Sequence, residues 1–468
     1  MTVCLRKGSY GKGYNLREFI MARLTNISIL LLFVFLSQPV LGEEILNRWI
    51  SENTEISALL QTEAGFGTNE GNFQKLEFIL EPELEVELPY NLSLTAMGRL
   101  KFDAFEKLGF GDPSQPTLSI FTERYIENDR LELELRELYL DGNIGDILFR
   151  LGKQQIVWGK ADGLKVLDVV NPQSFREFIL DDFDDSRIPL WSVNFEIPIK
   201  EVVLQLVWIP DRSFHVLPEP DELFAFTSTK FVPQAPEGVN VNLEAPKRPN
   251  QFFKDSEIGL RISTFWKGWD LTLNYLYHFD DFAILFQELS TTEQGPLVTI
   301  NPRYKRTHLI GGSFSNAFGD LTVRGEVGFN FDLFYLADEP DSDGVVKGNE
   351  LSYVLGLDWF GFSDSLVSFQ LFQTWITNLD KEITQDEFDT IITLLIQRDF
   401  MNETLQIEVL LLQNINDGDG LIRPKISYEL RDNLEIHTGI DIFYGDKNGL
   451  FGEFRDNDRI IVGLGYGF

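Results

Sequence analysis

The sequence predicts an all-β fold: a single antiparallel transmembrane β-barrel of about sixteen to eighteen strands, with long extracellular loops and short periplasmic turns. Three observations lead there. Period-two hydropathy recurs from residue 54 to the C-terminus, in segments about as long as a tilted membrane strand. The connections between these segments alternate between short and long. The last segment sets Ile460, Val462, Leu464, Tyr466 and Phe468 against Arg459, Gly463, Gly465 and Gly467, and stops on an aromatic of the apolar face.

Composition bounds the reading. Of 468 residues, 40 are basic and 73 acidic, for a formal charge of −33. Nucleic acid is excluded as a partner, since phosphate contact needs a basic footprint. Ordinary hydrophobic content excludes a helical membrane protein, whereas barrel strands alternate and average out as if soluble. The 40 Phe suit the aromatic girdles of a barrel. Residues 21–42 read as a signal peptide: Arg23 is the charged start, Ile27–Leu36 the apolar core, and Val40-Leu41-Gly42 a tolerated cut site. Met21 offers a later start, which makes 1–20 an upstream leader, and 43–53 then form a periplasmic N-terminal segment. The one cysteine, Cys4, lies in that leader, so no disulfide, zinc site or thiol nucleophile is expected beyond it.

Strands are expected near 54–66, 73–88, 91–104, 131–142, 146–156, 190–198, 201–210, 255–265 and 269–279. They continue near 303–315, 320–334, 349–361, 365–376, 390–400, 403–415, 421–431, 433–444 and 458–468. Short turns fall at Pro89–Tyr90, Asn143–Gly145, Lys267–Gly268, Ala317–Gly319 and Met401–Asn402, and long loops at 105–130, 157–189, 211–254 and 280–302. A soluble sandwich has no reason to sort its loops by length in this way. Alternation begins soon after the predicted cut, so no globular plug precedes the barrel.

Apolar faces should meet lipid and polar faces the interior. That places Glu77, Glu81, Glu83, Glu85 and Glu87 inward, with Arg99, Lys101 and Asp103 on the next strand. The clearest segment, Leu321–Leu333, puts Arg324 and Glu326 inside and Val323, Gly325 and Val327 outside. Arg423, Lys425, Glu435, His437 and Asp441 complete the candidate lumen lining. Charges at this density are too costly to leave dry, so the expected lumen holds water.

Alternation stops across residues 150–187, which carry Gly152, Gln154, Trp158, Gly159, Asp168, Asn171 and Pro172. This segment resembles the proteobacterial outer-membrane barrels grouped as domain of unknown function 1302, which share a similar Leu-Gly-[Lys/Arg]-Gln…Trp-Gly followed by Asp and Asn-Pro. The resemblance implies an outer-membrane barrel and says little about cargo. Loop 157–189 is the third long loop, and many porins fold that loop inward. Trp158, Asp168, Asn171, Arg176, Asp181, Asp182 and Arg187 are therefore candidate constriction residues, with Arg176 paired to an inward Glu and Asp168 to an inward Arg. The chain end resembles the C-terminal strand of Gram-negative outer-membrane barrels, which implies that Phe468 is part of an assembly signal read by the barrel-assembly machinery.

Other constellations carry less. Asp181-Asp182-Phe183-Asp184-Asp185 lacks the spaced frame of a calcium loop and reads as a solvated acidic stretch. The four His show no catalytic spacing with a Ser, so no enzyme and no cofactor is expected. The expected function is passive diffusion of small solutes across the outer membrane of a Gram-negative bacterium. The apolar loop pieces Leu223–Phe226 and Phe282–Phe286 point to amphipathic or apolar solutes. The alternative is a plug-less receptor or accessory barrel in lipid or siderophore traffic.

Overall fold

The computed structural model describes residues 53–69, 71–111, 123–161, 163–233, 238–293, 295–338 and 343–468. The leader, the signal peptide, Cys4 and all but Asn53 of the 43–53 segment lie outside the described residues. The strands run β1 (Thr54–Gly67), β2 (Phe73–Leu88), β3 (Leu92–Asp103), β4 (Tyr125–Glu127), β5 (Leu131–Ile144), β6 (Ile147–Gln154), β7 (Leu190–Ile199) and β8 (Val202–Ile209). Next come β9 (Asn240–Leu243), β10 (Glu257–Trp266), β11 (Trp269–Phe279), β12 (Ile284–Thr292), β13 (Gly295–Arg303), β14 (Arg306–Phe318) and β15 (Leu321–Leu336). The series ends with β16 (Val345–Trp359), β17 (Ser365–Thr377), β18 (Phe388–Phe400), β19 (Leu405–Asn414), β20 (Gly420–Arg431), β21 (Leu434–Tyr444) and β22 (Arg459–Gly467).

Eighteen of these strands pair antiparallel, each with its neighbours, into one closed barrel. Closure is between β1 and β22, in register from Leu59↔Gly467 to Gly67↔Arg459. The main chain of Phe468 extends this seam: its N–H donates to Ala58 O at 3.0 Å, and its own carbonyl accepts from Ala58 N at 2.7 Å. A closed barrel leaves no strand edge unsatisfied in the hydrocarbon. The eighteen barrel strands match the eighteen alternating segments read from the sequence. The other four lie where long loops were expected. Strand β4 pairs with β5, while β9, β12 and β13 form a small separate sheet.

The short turns adopt the left-handed backbone that tight hairpins need: Tyr90 and Asn91 have φ of 68° and 56°, and Met401 and Asn402 both 56°. The outer face is apolar, with Leu206, Leu273, Ile310, Val327, Leu355, Ile396, Ile426 and Val462 all exposed. That band, on a closed sheet, is the surface of a membrane-spanning barrel. A bulge between Asn330 and Leu333, with Asp332 at φ 62°, shifts the alternation near the top of β15.

The interior departs from the simple polar expectation. Val207, Leu276, Leu309, Val354, Phe372, Ile391, Leu412 and Phe443 point inward and are buried. They form one apolar core with Trp158, Leu167, Val170, Phe178 and Leu180 of the 157–189 segment, and with Phe224, Phe451 and Phe454 of later loops. Much of the loop-side half of the lumen is therefore filled by protein. Each large apolar side chain buried there stabilises the inward fold by about 1.5–3 kcal/mol.

Candidate functional site

Strand β6 ends at Gln154, and the chain leaves the wall and enters the barrel. The residues of the sequence motif build that departure. Gly152 has φ 138°, and a Cβ there would collide with the backbone of Leu138 and Tyr139, so only glycine fits. Gln154 Nε2 donates to Arg150 O at 3.1 Å and Ser192 O at 3.3 Å. Asn171 braces both ends of the excursion: its Oδ1 accepts Ile156 N–H at 2.7 Å and its Nδ2 donates to Ile188 O at 2.8 Å. A Cβ on Gly159 would lie 2.7 Å from Asp168 Cβ, so the outgoing and returning limbs of the excursion touch there. Trp158 is fully buried, with Nε1 donating to Gln205 on β8 at 2.9 Å.

The segment is then tied to strands all round the wall. The Glu326 carboxylate on β15 accepts the N–H groups of Lys160, Ala161 and Leu167, the last two at 3.0 Å. Arg324 pairs with Asp358 at 2.9 Å and donates to Lys160 O. Lys160 reaches Asp270 on β11. Arg423 Nη2 donates to Leu180 O at 2.9 Å and its Nε to Asp441 at 2.9 Å. Arg99 pairs with Glu81 and with Asp185, and Arg136 donates to the carbonyls of Asp184 and Asp185 at 2.6 and 3.1 Å.

A buried charge network lies at the β1–β22 seam. Glu177 pairs with Lys75 and, at 2.8 Å, with Arg459, which also holds Asp441 at 2.8 Å. Burial works against the Glu177 carboxylate, yet Lys75 and Arg459 hold its pKa at about 2. Arg176 pairs with Glu77 on β2, an inward Glu, as the sequence suggested. Asp168 does not reach a wall arginine. It pairs inside its own segment with Arg187 at 2.7 Å and Lys165 at 3.3 Å, because it sits at the inner turn, away from the wall. Burial lowers the Lys165 pKa to about 8.

The remaining candidates divide. Asp103, Glu326 and Asp441 point inward but are buried under the loops, so they do not face open water; Arg99 is largely buried too, but it lines a charged cleft. Lys425 and Glu435 point inward on the periplasmic half; Lys425 is exposed, and Glu435 lies 3.7 Å from His437. Asp182 is exposed, and no group of three or more metal-type ligands occurs among the described residues. Leu223–Phe226 is loop packing: Phe224 and Phe226 lie against Phe454 at 5.5 and 6.0 Å. Phe282 lies against His215 at 4.5 Å. Sequence reading missed Glu326 as a backbone acceptor, and also Lys75, Arg136, Glu177 and Arg459. For the strand residues the only signal was a charge on an inward position, and for Glu177 a charge within the 157–189 loop.

Between the inserted segment and β3–β5–β6 lies a cleft of about 830 Å³, its open mouth included. Arg99, Lys101, Arg124, Arg136, Lys153 and Arg176 line it together with Glu123, Glu134, Asp181 and Asp185. The apolar residues in its lining are few: Phe110, Ile188, Phe214 and Val216.

Fold and site together define an antiparallel membrane-spanning β-barrel whose interior is narrowed by its own third long loop. Within that class, the chain belongs to the family described as "Protein of unknown function (DUF1302)", whose model matches residues 67–468. The fold is similar to the crystal structure of Acinetobacter baumannii OccAB3, with a TM-score of 0.50 at 10% identity, covering 89% of this chain and 98% of that one. Acinetobacter baumannii OccAB1 gives 0.49 at 9% identity, covering 89% and 96%. Pseudomonas aeruginosa OpdK with vanillate gives 0.48 at 9% identity, covering 89% and 99%. No curated protein matches the sequence.

Proposed function

We propose that this protein is a channel of the Gram-negative outer membrane through which small polar solutes diffuse passively. Segment 157–189 sets the constriction, and the charged cleft beside it is the passage. One observation carries the reading: a long loop is drawn inside a closed barrel and bonded to the wall, leaving a charge-lined space along one side. Of the two apolar pieces that suggested apolar cargo, Leu223–Phe226 is spent on loop packing, and the cleft lining is mostly charged, which favours polar solutes. Trp158, Asn171, Asp168 and Arg187 hold the constriction's shape; Arg176, Asp181 and Arg99 border the passage; Lys425 and Glu435 border its periplasmic side. Lipid and the assembly machinery are the expected partners, with Phe468 in the assembly signal, and no enzymatic step enters the reading.

Purified protein in a planar bilayer tests it. Stepwise conductance is expected, and Lys101→Glu in the cleft should shift selectivity toward cations. A bilayer that stays silent with every small solute overturns the channel. Conductance with unchanged selectivity in Lys101→Glu moves the passage elsewhere.

A further inference from the structure

The outward side of the barrel carries a second feature, above β8, β10, β11, β14 and β15. Trp208, Ile258, Tyr277, His308 and Phe331 occupy one continuous register row across these five strands. The row beneath is Leu206, Leu260, Tyr275, Ile310 and Phe329, which is apolar apart from the Tyr275 hydroxyl. The upper row is thus an aromatic belt at the loop-side edge of the apolar band. One outward step above it, Phe279 pairs with Arg306.

Arg306 lies over the rings of Tyr277 and Phe279 at 4.5 and 4.2 Å. Its Nη2 donates to Lys254 O at 2.8 Å and Ser256 O at 3.0 Å, which fastens the 251–256 turn against the outer rim. That turn sets Phe253, 79% exposed, in a stack on Trp208 at 6.2 Å. An aromatic this exposed, beside the apolar band, has lipid as its natural neighbour.

The charge here runs against the rest of the chain. Lys247, Arg248, Lys254, Arg303, Lys305 and Arg306 fall in two short segments, joined by Lys247 N–H donating to Pro302 O at 2.9 Å. The flanking acids are already engaged: Glu244 lies 3.8 Å from Lys247, Glu257 accepts Phe279 N–H at 2.9 Å, and Asp255 Oδ2 accepts the N–H groups of Asn250 and Gln251 at 3.0 and 2.9 Å. A cationic rim over an aromatic belt, on a chain of charge −33, complements an anionic amphiphile.

We infer that this rim binds a phosphorylated lipid of the surrounding leaflet, its phosphates on Lys254 and Arg306 and its acyl chains along Phe253, Trp208 and Ile258. The inference rests on the membrane placement under the proposed function, but not on conduction. The test compares wild type, the double variant Lys254→Gln/Arg306→Gln and Phe253→Ser, each shown by heat-shifted gel mobility to be folded. The probes are lipid A, its dephosphorylated form and inorganic phosphate, with binding read by native mass spectrometry in detergent. Lipid A should bind wild type at least about tenfold more tightly than the double variant. Dephosphorylated lipid should not distinguish the two, and Phe253→Ser should weaken both lipids while leaving any binding of inorganic phosphate unchanged. Equal lipid A binding to wild type and double variant overturns the inference. Displacement of lipid A by inorganic phosphate at matched concentration overturns the lipid as its source. Conductance of the same preparations reads the channel separately, so a silent barrel that binds lipid A would sink only the channel.

Discussion

Glu326 accepts the amide hydrogen of Leu167 at 3.0 Å, across 159 residues of sequence. The same carboxylate takes two further amides, so one wall side chain fixes the inner turn of the segment that narrows the barrel. A carboxylate holding three backbone donors in a half-dry interior is hard to replace, since water cannot easily reach those donors once it is gone.

Glu326→Ala should therefore loosen the 160–167 turn without unfolding the wall. A local loss of about 1.5–3 kcal/mol is expected for hydrogen bonds to a charged group. Hydrogen exchange at Lys160, Ala161 and Leu167 should quicken, and channel current should become larger or noisier. Protection at wild-type levels would show that the apolar core alone holds the turn.

The two faces of β20 give a test of register. Ile426→Arg places a charge against lipid and should cost about 2–4 kcal/mol near the midplane, with poor assembly. Ser427→Arg, one residue on, points inward opposite His437 and should assemble well. Heat-modifiable gel mobility of membrane fractions reads both, and equal outcomes would put the strand in a different register. On β15 the comparable inward site is closed. A Cβ on Gly328 would already lie 3.1 Å from Leu309, so Gly328→Arg should fail along with Val327→Arg.

The buried pair of Arg176 and Glu77 should be costly to break from one side. Glu77→Gln leaves the largely buried Arg176 with Glu177, at 3.4 Å, as its remaining carboxylate, at a cost of about 3–5 kcal/mol. Protease sensitivity of segment 157–189 in folded barrel is the measurement, and Glu77→Gln/Arg176→Met should recover much of the loss. A double variant as sensitive as the single one would show that the pair's charge is not what matters.

Packing of the outer loops should weaken as pH rises. Burial lifts the Glu222 pKa to about 7, with the Glu219 amide and Arg176 opposing the shift. The folded state thus binds more protons than the unfolded one between the ordinary glutamate value and about 7, so stability falls across that window. Glu222 lies against Gly109, and Leu223 N–H donates to Lys107 O at 3.1 Å. Protection factors at residues 104–110, taken relative to the intrinsic exchange rate at each pH, should be higher at pH 5 than at pH 8, and Glu222→Gln should flatten that difference.

The wall was legible in the sequence because lipid imposes a rule with period two. Every strand must put apolar side chains outward, and the tight turns need residues that tolerate left-handed backbone, as at Tyr90-Asn91 and Met401-Asn402. Eighteen segments, their order and the outward register of Val323, Gly325 and Val327 follow from that rule alone. The interior obeys no such periodic constraint. Whether an inward residue meets water or protein depends on where a distant loop comes to rest, so Leu309 and Phe372 are buried inside while Lys425 is exposed. Nothing local to Glu326 marks it as the acceptor for residues 160–167, and nothing local to Asp168 turns it toward Arg187 instead of the wall. The sequence by itself determined a closed barrel and the place where its chain departs inward. Only the tertiary structure decided what fills that barrel, because those contacts join residues from tens to hundreds of positions apart and carry no pattern along the chain.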